Sequence, residues 1–277
     1  MAKRLHVRRC LCEDYSRCVA SSAITGYMAL VRNVKTMQNN GTQESSHKKC
    51  VNLELAKRGN LVLLRHGQTA WSVSGQHTGR TDLPLTDVGM QQACDAGERL
   101  REAFPQGFDP DCVLVSPLRR AQQTAQLAGY VTYEICRSAL EWDYGGAEGR
   151  TRGDIAALSG VDAWDVWKHG PQVLPSHMIS DGQEVLPNGE AVDIHRTSGE
   201  SLQEVSDRTQ KIIDAAMPQL AQGRNVLVVA HAHVLRILTA RWLGVNPDFA
   251  RLLRLDTAHY AVLGEYKGDN VIVHWNC

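Results

Sequence analysis

No stretch of this sequence approaches the roughly eighteen continuous apolar residues that a membrane-spanning helix needs; the longest apolar runs, such as 226–230, have the length of buried strands. Neither sign of charge is in excess. Thirty Lys and Arg balance 30 Asp and Glu, so the basic surplus of a dedicated nucleic-acid binder is missing. The chain has 8 cysteines but no Cys-x-x-Cys followed by a matching Cys or His pair, which speaks against a zinc site. Cys10, Cys12, Cys18 and Cys50 stand at the start, and Cys94, Cys112, Cys136 and Cys277 are scattered through the rest. Cys112 opens the apolar run 112–115, where a buried thiol behaves as a small hydrophobe. The set reads as reduced thiols of an intracellular compartment. What is present, 43% hydrophobic and 22% charged residues over 277, suits a soluble globular chain with a sizeable core.

Two regions differ in composition. Up to position 40 the basic residues Lys3, Arg4, Arg8, Arg9, Arg17, Arg32 and Lys35 face only Glu13 and Asp14. A polar stretch follows, QNNGTQESSHKK at 38–49, with the character of a linker. Residues 1–57 therefore read as a basic N-terminal extension, with a transit peptide, a disordered tail and a misplaced start codon as the alternatives. The expected location is cytoplasmic, or a mitochondrion or plastid if that segment is a transit peptide. Residues 58–277 form the expected single catalytic domain.

Within it, 61–64 reads as a buried strand that ends in a polar, Gly-bearing loop. Thr86 is a suitable N-cap for a helix to about Phe104. Residues 112–115 give a second strand, Ser116-Pro117 the start of a helix ended by Gly129, and 131–136 a third strand. Ser201 and Glu204 form a capping box for a helix whose last turn Pro218 should kink or shorten. Residues 226–230 give a fourth strand with a helix, 234–243, behind it; 259–266 and 270–275 read as a hairpin. Residues 164–198 read as a long loop over the pocket mouth. Short buried strands alternating with helices predict an α/β fold, a three-layer αβα sandwich with a mainly parallel central sheet. Ligands of such sheets sit beyond the carboxyl ends of the strands, where Arg65, His66, Ser116, Arg120 and His231 would converge.

Five ordered motifs carry the chemistry. They are LVLLRHGQTAWSVSGQHTGRTDLPLTDVG (61–89), SPLRRAQQTA (116–125), LEWDYGGAEG (140–149), GESLQEVSDR (199–208) and VLVVAHAHVLR (226–236). Together they resemble the histidine phosphatase superfamily in its phosphoglycerate mutase-like branch. The loop 75–86 is closer to bacterial acid phosphatase and sedoheptulose-bisphosphatase members than to the mutases, which usually carry Asn where Ser72 follows Trp71.

The resemblance implies His66 as the nucleophile, Glu141 as general acid and base, and His231 as a donor to the transferring phosphoryl group. It implies Arg65 and Arg120 as phosphate ligands, with Ser72, Thr78, Gly79 and Tyr144 around the substrate. The chemistry fits: guanidinium forks match phosphate oxygens, and two of them disfavour imidazolium, which leaves the attacking histidine neutral. Arg119 is the alternative to Arg120, and Asp143 to Glu141. His233 stands where the family commonly has glycine, which puts the local backbone in question; it reads as a helix N-terminal residue beside the site. Arginines and histidines do the charge work, so neither metal nor cofactor is expected. The expected reaction is hydrolysis of a small phosphorylated metabolite, a sugar phosphate, through phosphohistidine. Phosphoglycerate mutase-type transfer and a non-catalytic anion-binding relative are the alternatives. The expected partner is the small phosphorylated substrate, with no nucleic acid and no membrane; a homodimer is compatible with this reading.

Overall fold

The computed structural model describes residues 58–160 and 163–277; the expected extension 1–57 lies outside the described residues. The central strands are β1 (Leu61–Arg65), β2 (Val113–Val115) and β3 (Glu134–Ile135). A separate pair, β4 (Gly182–Val185) and β5 (Ala191–Ile194), precedes β6 (Val226–Ala230), β7 (Tyr260–Tyr266) and β8 (Asp269–His274). The helices are α1 (Ala70–Ser74), α2 (Asp87–Ala103), α3 (Arg119–Leu127) and α4 (Arg152–Ser159), then α5 (Val166–His169), α6 (Leu202–Ala221) and α7 (Ala232–Trp242).

Six strands form one sheet in the order β3-β2-β6-β1-β7-β8, the first four parallel and the last two antiparallel. Side chains alternate across it. Leu61 and Leu63 of β1 enter a core with Ile212 and Ala216 of α6 and Leu235 and Leu238 of α7. Val62 and Leu64 enter the opposite core with Ala96 and Leu100 of α2 and Ala121 and Ala125 of α3. Burial on both faces is why β1 and β6 are unbroken apolar runs, and it makes the three-layer sandwich. Each fully buried leucine contributes about 1.5–3 kcal/mol of burial.

Several local starts follow from side-chain capping. The Thr86 hydroxyl accepts from the Gly89 N–H at 3.0 Å and opens α2, and Ser201 and Glu204 cap α6 reciprocally. The turn between β7 and β8 has only Lys267 and Gly268 at its centre, both at positive φ, so Asp269 already belongs to a strand.

Four expectations are corrected. α3 starts at Arg119 rather than at Ser116, because the Ser116 hydroxyl faces His231 at 2.8 Å and does not cap the helix. β3 shrinks to two residues; Val131 and Ile135 are 69% and 50% exposed, so this is a sheet edge and not a buried strand. α6 continues through Pro218 to Ala221, so the proline does not end the helix. The stretch 164–198 is built rather than a bare loop: it contains α5 and the β4–β5 hairpin. Its turn is closed by Gly189 N–H to the Leu186 carbonyl and Leu186 N–H to the Glu190 carbonyl, both 2.8 Å, with Gly189 at φ 85°. Leu186, Val192 and Ile194 of the hairpin pack on Trp71 and Leu83. Among the described residues no helix is long and apolar enough to cross a membrane.

Candidate active site

Parallel pairing brings three strand ends into line. Arg65 stands opposite Ala230 and Val115 opposite Val229, so the next residues, His66, His231 and Ser116, emerge along one edge. The His66 N–H donates to the Ala230 carbonyl and the Ser116 N–H to the Val229 carbonyl, each 3.0 Å, which extends the ladder one step past the strands.

The His66 Nδ1 lies 2.7 Å from the Gly67 carbonyl oxygen. A carbonyl only accepts, so Nδ1 carries the hydrogen and Nε2 keeps its lone pair. Burial first, then the Arg120 and Arg65 guanidinium groups, hold the His66 pKa well below its ordinary value. Arg65 donates from one terminal nitrogen to the Leu255 carbonyl at 2.7 Å, while its buried Nε has no acceptor among the described residues.

Arg120 is fully buried, and its guanidinium is fixed on several sides. It donates to the Thr81 and Gly79 carbonyls, both at 2.8 Å, and from Nε to the His231 Nδ1 at 3.1 Å. Because an arginine can only donate, His231 Nδ1 is the acceptor, and its Nε2–H then donates to the Ser116 hydroxyl at 2.8 Å. The His66 and His231 ring centroids are 5.1 Å apart. Burial, then Arg120, also holds the His231 pKa well down. Arg119 instead lies on the surface, paired with Glu190.

The two residues whose carbonyls hold Arg120 are themselves held, through their N–H groups, by Glu148, a residue to which the sequence assigned no role. Its buried carboxylate accepts from the Gly79 N–H at 2.9 Å and the Thr81 N–H at 2.9 Å, and burial raises its pKa. Gly79 was expected beside the substrate; it is buried against Glu148, outside the cavity lining, and a Cβ there would meet the Trp142 carbonyl oxygen at 2.5 Å. The signal for Glu148 was its place in the third motif, but a single acidic residue in sequence does not announce that it is buried.

Glu141 accepts from the backbone N–H groups of His233 at 3.0 Å and Val234 at 2.9 Å, at the start of α7, and of Trp142 at 2.8 Å. The carboxylate of Asp143, its rival, accepts instead from the Gly145 N–H and the Thr197 hydroxyl. Ser72 spends its hydroxyl in the capping of α1 with Thr69. Tyr144 is buried, and its hydroxyl is hydrogen-bonded to the His233 Nδ1.

Arg65, His66, Ser72, Thr78, Glu141 and Tyr144 line one cavity of about 220 Å³, with His77 and His233 on its wall. A larger groove of about 560 Å³, between α1 and the hairpin tip, is lined by apolar and small polar side chains, with Asp87 its one charged member among the described residues.

The parallel strand ends thus place Arg65 and His66 on the cavity, with Arg120 and His231 fully buried beside it and outside its lining, in an α/β protein whose site gathers two histidines and two arginines. The chain matches the histidine phosphatase superfamily (branch 1) over residues 61–277 and belongs to that family. It is 35% identical over 204 residues to an acid phosphatase of Mycobacterium tuberculosis, covering 74% of this chain and 85% of that protein. It is 31% identical over 210 residues to a 2,3-bisphosphoglycerate-dependent phosphoglycerate mutase of Bifidobacterium longum, covering 72% and 82%. A solved structure of a Mycobacterium tuberculosis open reading frame product superposes with a TM-score of 0.64 at 32% identity, covering 79% of this chain and 97% of that one. The protein is a phosphatase of this superfamily.

Proposed function

We propose that the protein hydrolyses a small phosphomonoester, a sugar phosphate, through a phosphohistidine on His66. The supporting observation is the Nδ1 bond of His66 to the Gly67 carbonyl beside the Arg120 and Arg65 guanidinium groups, which leaves Nε2 unprotonated with its lone pair free. In the first step His66 Nε2 bonds to phosphorus as the P–O bond to the leaving group breaks, and Glu141 gives the alkoxide its proton. In the second, Glu141 takes a proton from water, which attacks phosphorus; the P–N bond breaks, and inorganic phosphate leaves. Arg65, whose Nε has no acceptor among the described residues, and Arg120 balance the phosphoryl charge throughout. His231 serves the phosphoryl group by exchanging its bond to Ser116 for one to a phosphoryl oxygen. Thr78 and Tyr144 contact the leaving group from the cavity wall.

The mutase reading is supported by the Bifidobacterium longum relative. It differs in the second step alone, where the phosphoryl group returns to a hydroxyl of the substrate. A brief pulse of labelled substrate, quenched in alkali, should trap an acid-labile, alkali-stable phosphoenzyme that His66→Ala lacks. Label recovered on serine would refute the assignment, and label returned to substrate as an isomer, with no free phosphate, would favour the mutase.

A further inference from the structure

The reaction cavity has neighbours beyond His233. It shares Arg65 and His233 with a second cavity of about 390 Å³, which in turn shares His233, Arg236 and Arg251 with a third of about 350 Å³. The two outer cavities are lined by six basic side chains, Arg65, Arg152, Lys168, Arg236, Arg251 and Arg254, against two acidic ones, Asp165 and Asp256. A chain of zero net charge thus concentrates positive charge where its reaction cavity opens.

Local pairing does not cancel this charge. Arg152, Arg251 and Arg254 have ion pairs with Asp165, Asp248 and Asp256. Among the described residues no carboxylate pairs with Arg65, Arg236 or Lys168. Arg236 is held rigidly by carbonyls, donating to Ala250 at 3.0 Å and Arg251 at 2.9 Å, and its guanidinium lies 4.6 Å from the centre of the Trp167 ring. A guanidinium oriented in this way, half-buried on an aromatic ring and without a counter-ion, is pre-organised for an anion. The cavities are the size of small-molecule sites, and they adjoin the reaction cavity through shared wall residues, which suits one extended ligand better than a separate one.

We infer that the groove beyond His233, with Arg236, Arg251 and Lys168, is a subsite for a second anionic group of the same substrate. The inference rests on the phosphomonoesterase reading above and narrows it: the substrate is doubly anionic, carrying either a second phosphate or a carboxylate at the end remote from the phosphoryl group that is transferred.

Two matched pairs test this and separate the two anions: fructose 1,6-bisphosphate against fructose 6-phosphate, and 6-phosphogluconate against sorbitol 6-phosphate. The expected result is a kcat/KM preference of about tenfold or more for the doubly anionic member of at least one pair, the worth of one charge-assisted contact. The Arg251→Gln, Lys168→Gln double variant should shrink that ratio to about twofold, added salt should shrink it in the native protein, and Arg251→Lys should keep most of it. Equal rates within both pairs, or a preference that the double variant retains, would overturn the subsite while leaving the phosphatase reading intact. Release of phosphate from none of the four would overturn both.

Discussion

The two histidines at the strand ends give the protein a specific sensitivity to acid. His66 and His231 are 5% and 0% exposed, and burial together with Arg120 holds both pKa values well below the ordinary 6.5. In the unfolded chain each would titrate near 6.5. Above that pH both states are neutral and nothing is lost. As the pH falls below it, the unfolded chain takes up protons that the folded one refuses, so stability declines. Between pH 7 and pH 5 this amounts to about 2 kcal/mol for each ring still neutral at pH 5, or about 4 kcal/mol for the pair. At about 2–4 °C per kcal/mol for a domain of this size, the melting temperature should drop by up to about 8–16 °C from this source, the upper limit applying when both rings stay neutral. Other groups titrate over the same range, and Glu148, whose pKa is raised, works in the opposite direction. The comparison that isolates the histidines is therefore the native protein against a His66→Gln, His231→Gln double variant, melted at pH 7 and pH 5 at one ionic strength. The native protein should lose more stability than the variant by the stated amount. The same drop in both proteins would show that these rings titrate normally, and the argument for a neutral nucleophile would fail with it.

Three further outcomes follow from the geometry. Glu141→Gln should reduce turnover of sugar phosphates about 10²–10⁴-fold more than that of nitrophenyl phosphate, whose leaving group needs no proton, while Asp143→Asn should be milder on both; equal losses on both substrates for Glu141→Gln would make that carboxylate structural. Gly79→Ala places a Cβ 2.5 Å from the Trp142 carbonyl oxygen and should cost about 1–3 kcal/mol in thermal or urea unfolding, with kcat/KM falling as the loop that holds Arg120 shifts. Glu184→Ala removes the acceptor for the Trp71 Nε1–H at 3.0 Å and the Gln76 Nε2–H at 2.9 Å, so amide hydrogen exchange in the β4–β5 hairpin should quicken.

The parts of this protein legible in its sequence are those where the side chain and its neighbours in the chain decide the outcome. The doubly buried strands β1 and β6 show as unbroken apolar runs, and the caps of α2 and α6 as Thr86 and the Ser201–Glu204 pair. The hairpin at 182–194 was missed: Asn188-Gly189 marks a turn, but the charged and polar residues around it conceal a strand pair whose Leu186, Val192 and Ile194 pack on Trp71 and Leu83. Partnerships across long separations were not legible. Ser116 looks like a helix cap until a histidine 115 positions later takes its hydroxyl. Glu148 looks like a surface acid until a loop nearly seventy residues earlier folds its N–H groups onto it.

His233 shows how a departure from a family pattern can be absorbed. A glycine is indispensable where φ is positive or where a Cβ would collide, and residue 233 meets neither condition: it is the second residue of α7 and is not among the positive-φ positions. Its backbone N–H still donates to Glu141, as a glycine there could. What changes is the side chain. An imidazole now fills space beside the reaction cavity, hydrogen-bonded to the Tyr144 hydroxyl and 4.8 Å from the Trp167 ring centre, with burial holding its pKa well down. The Tyr144 hydroxyl is held protonated by burial, so the pair is a neutral ring hydrogen-bonded to a neutral phenol. The substitution therefore leaves the backbone support of Glu141 untouched and alters the wall between the cavity and the basic groove, so under the proposed mechanism its effect should fall on the choice of leaving group rather than on phosphoryl transfer.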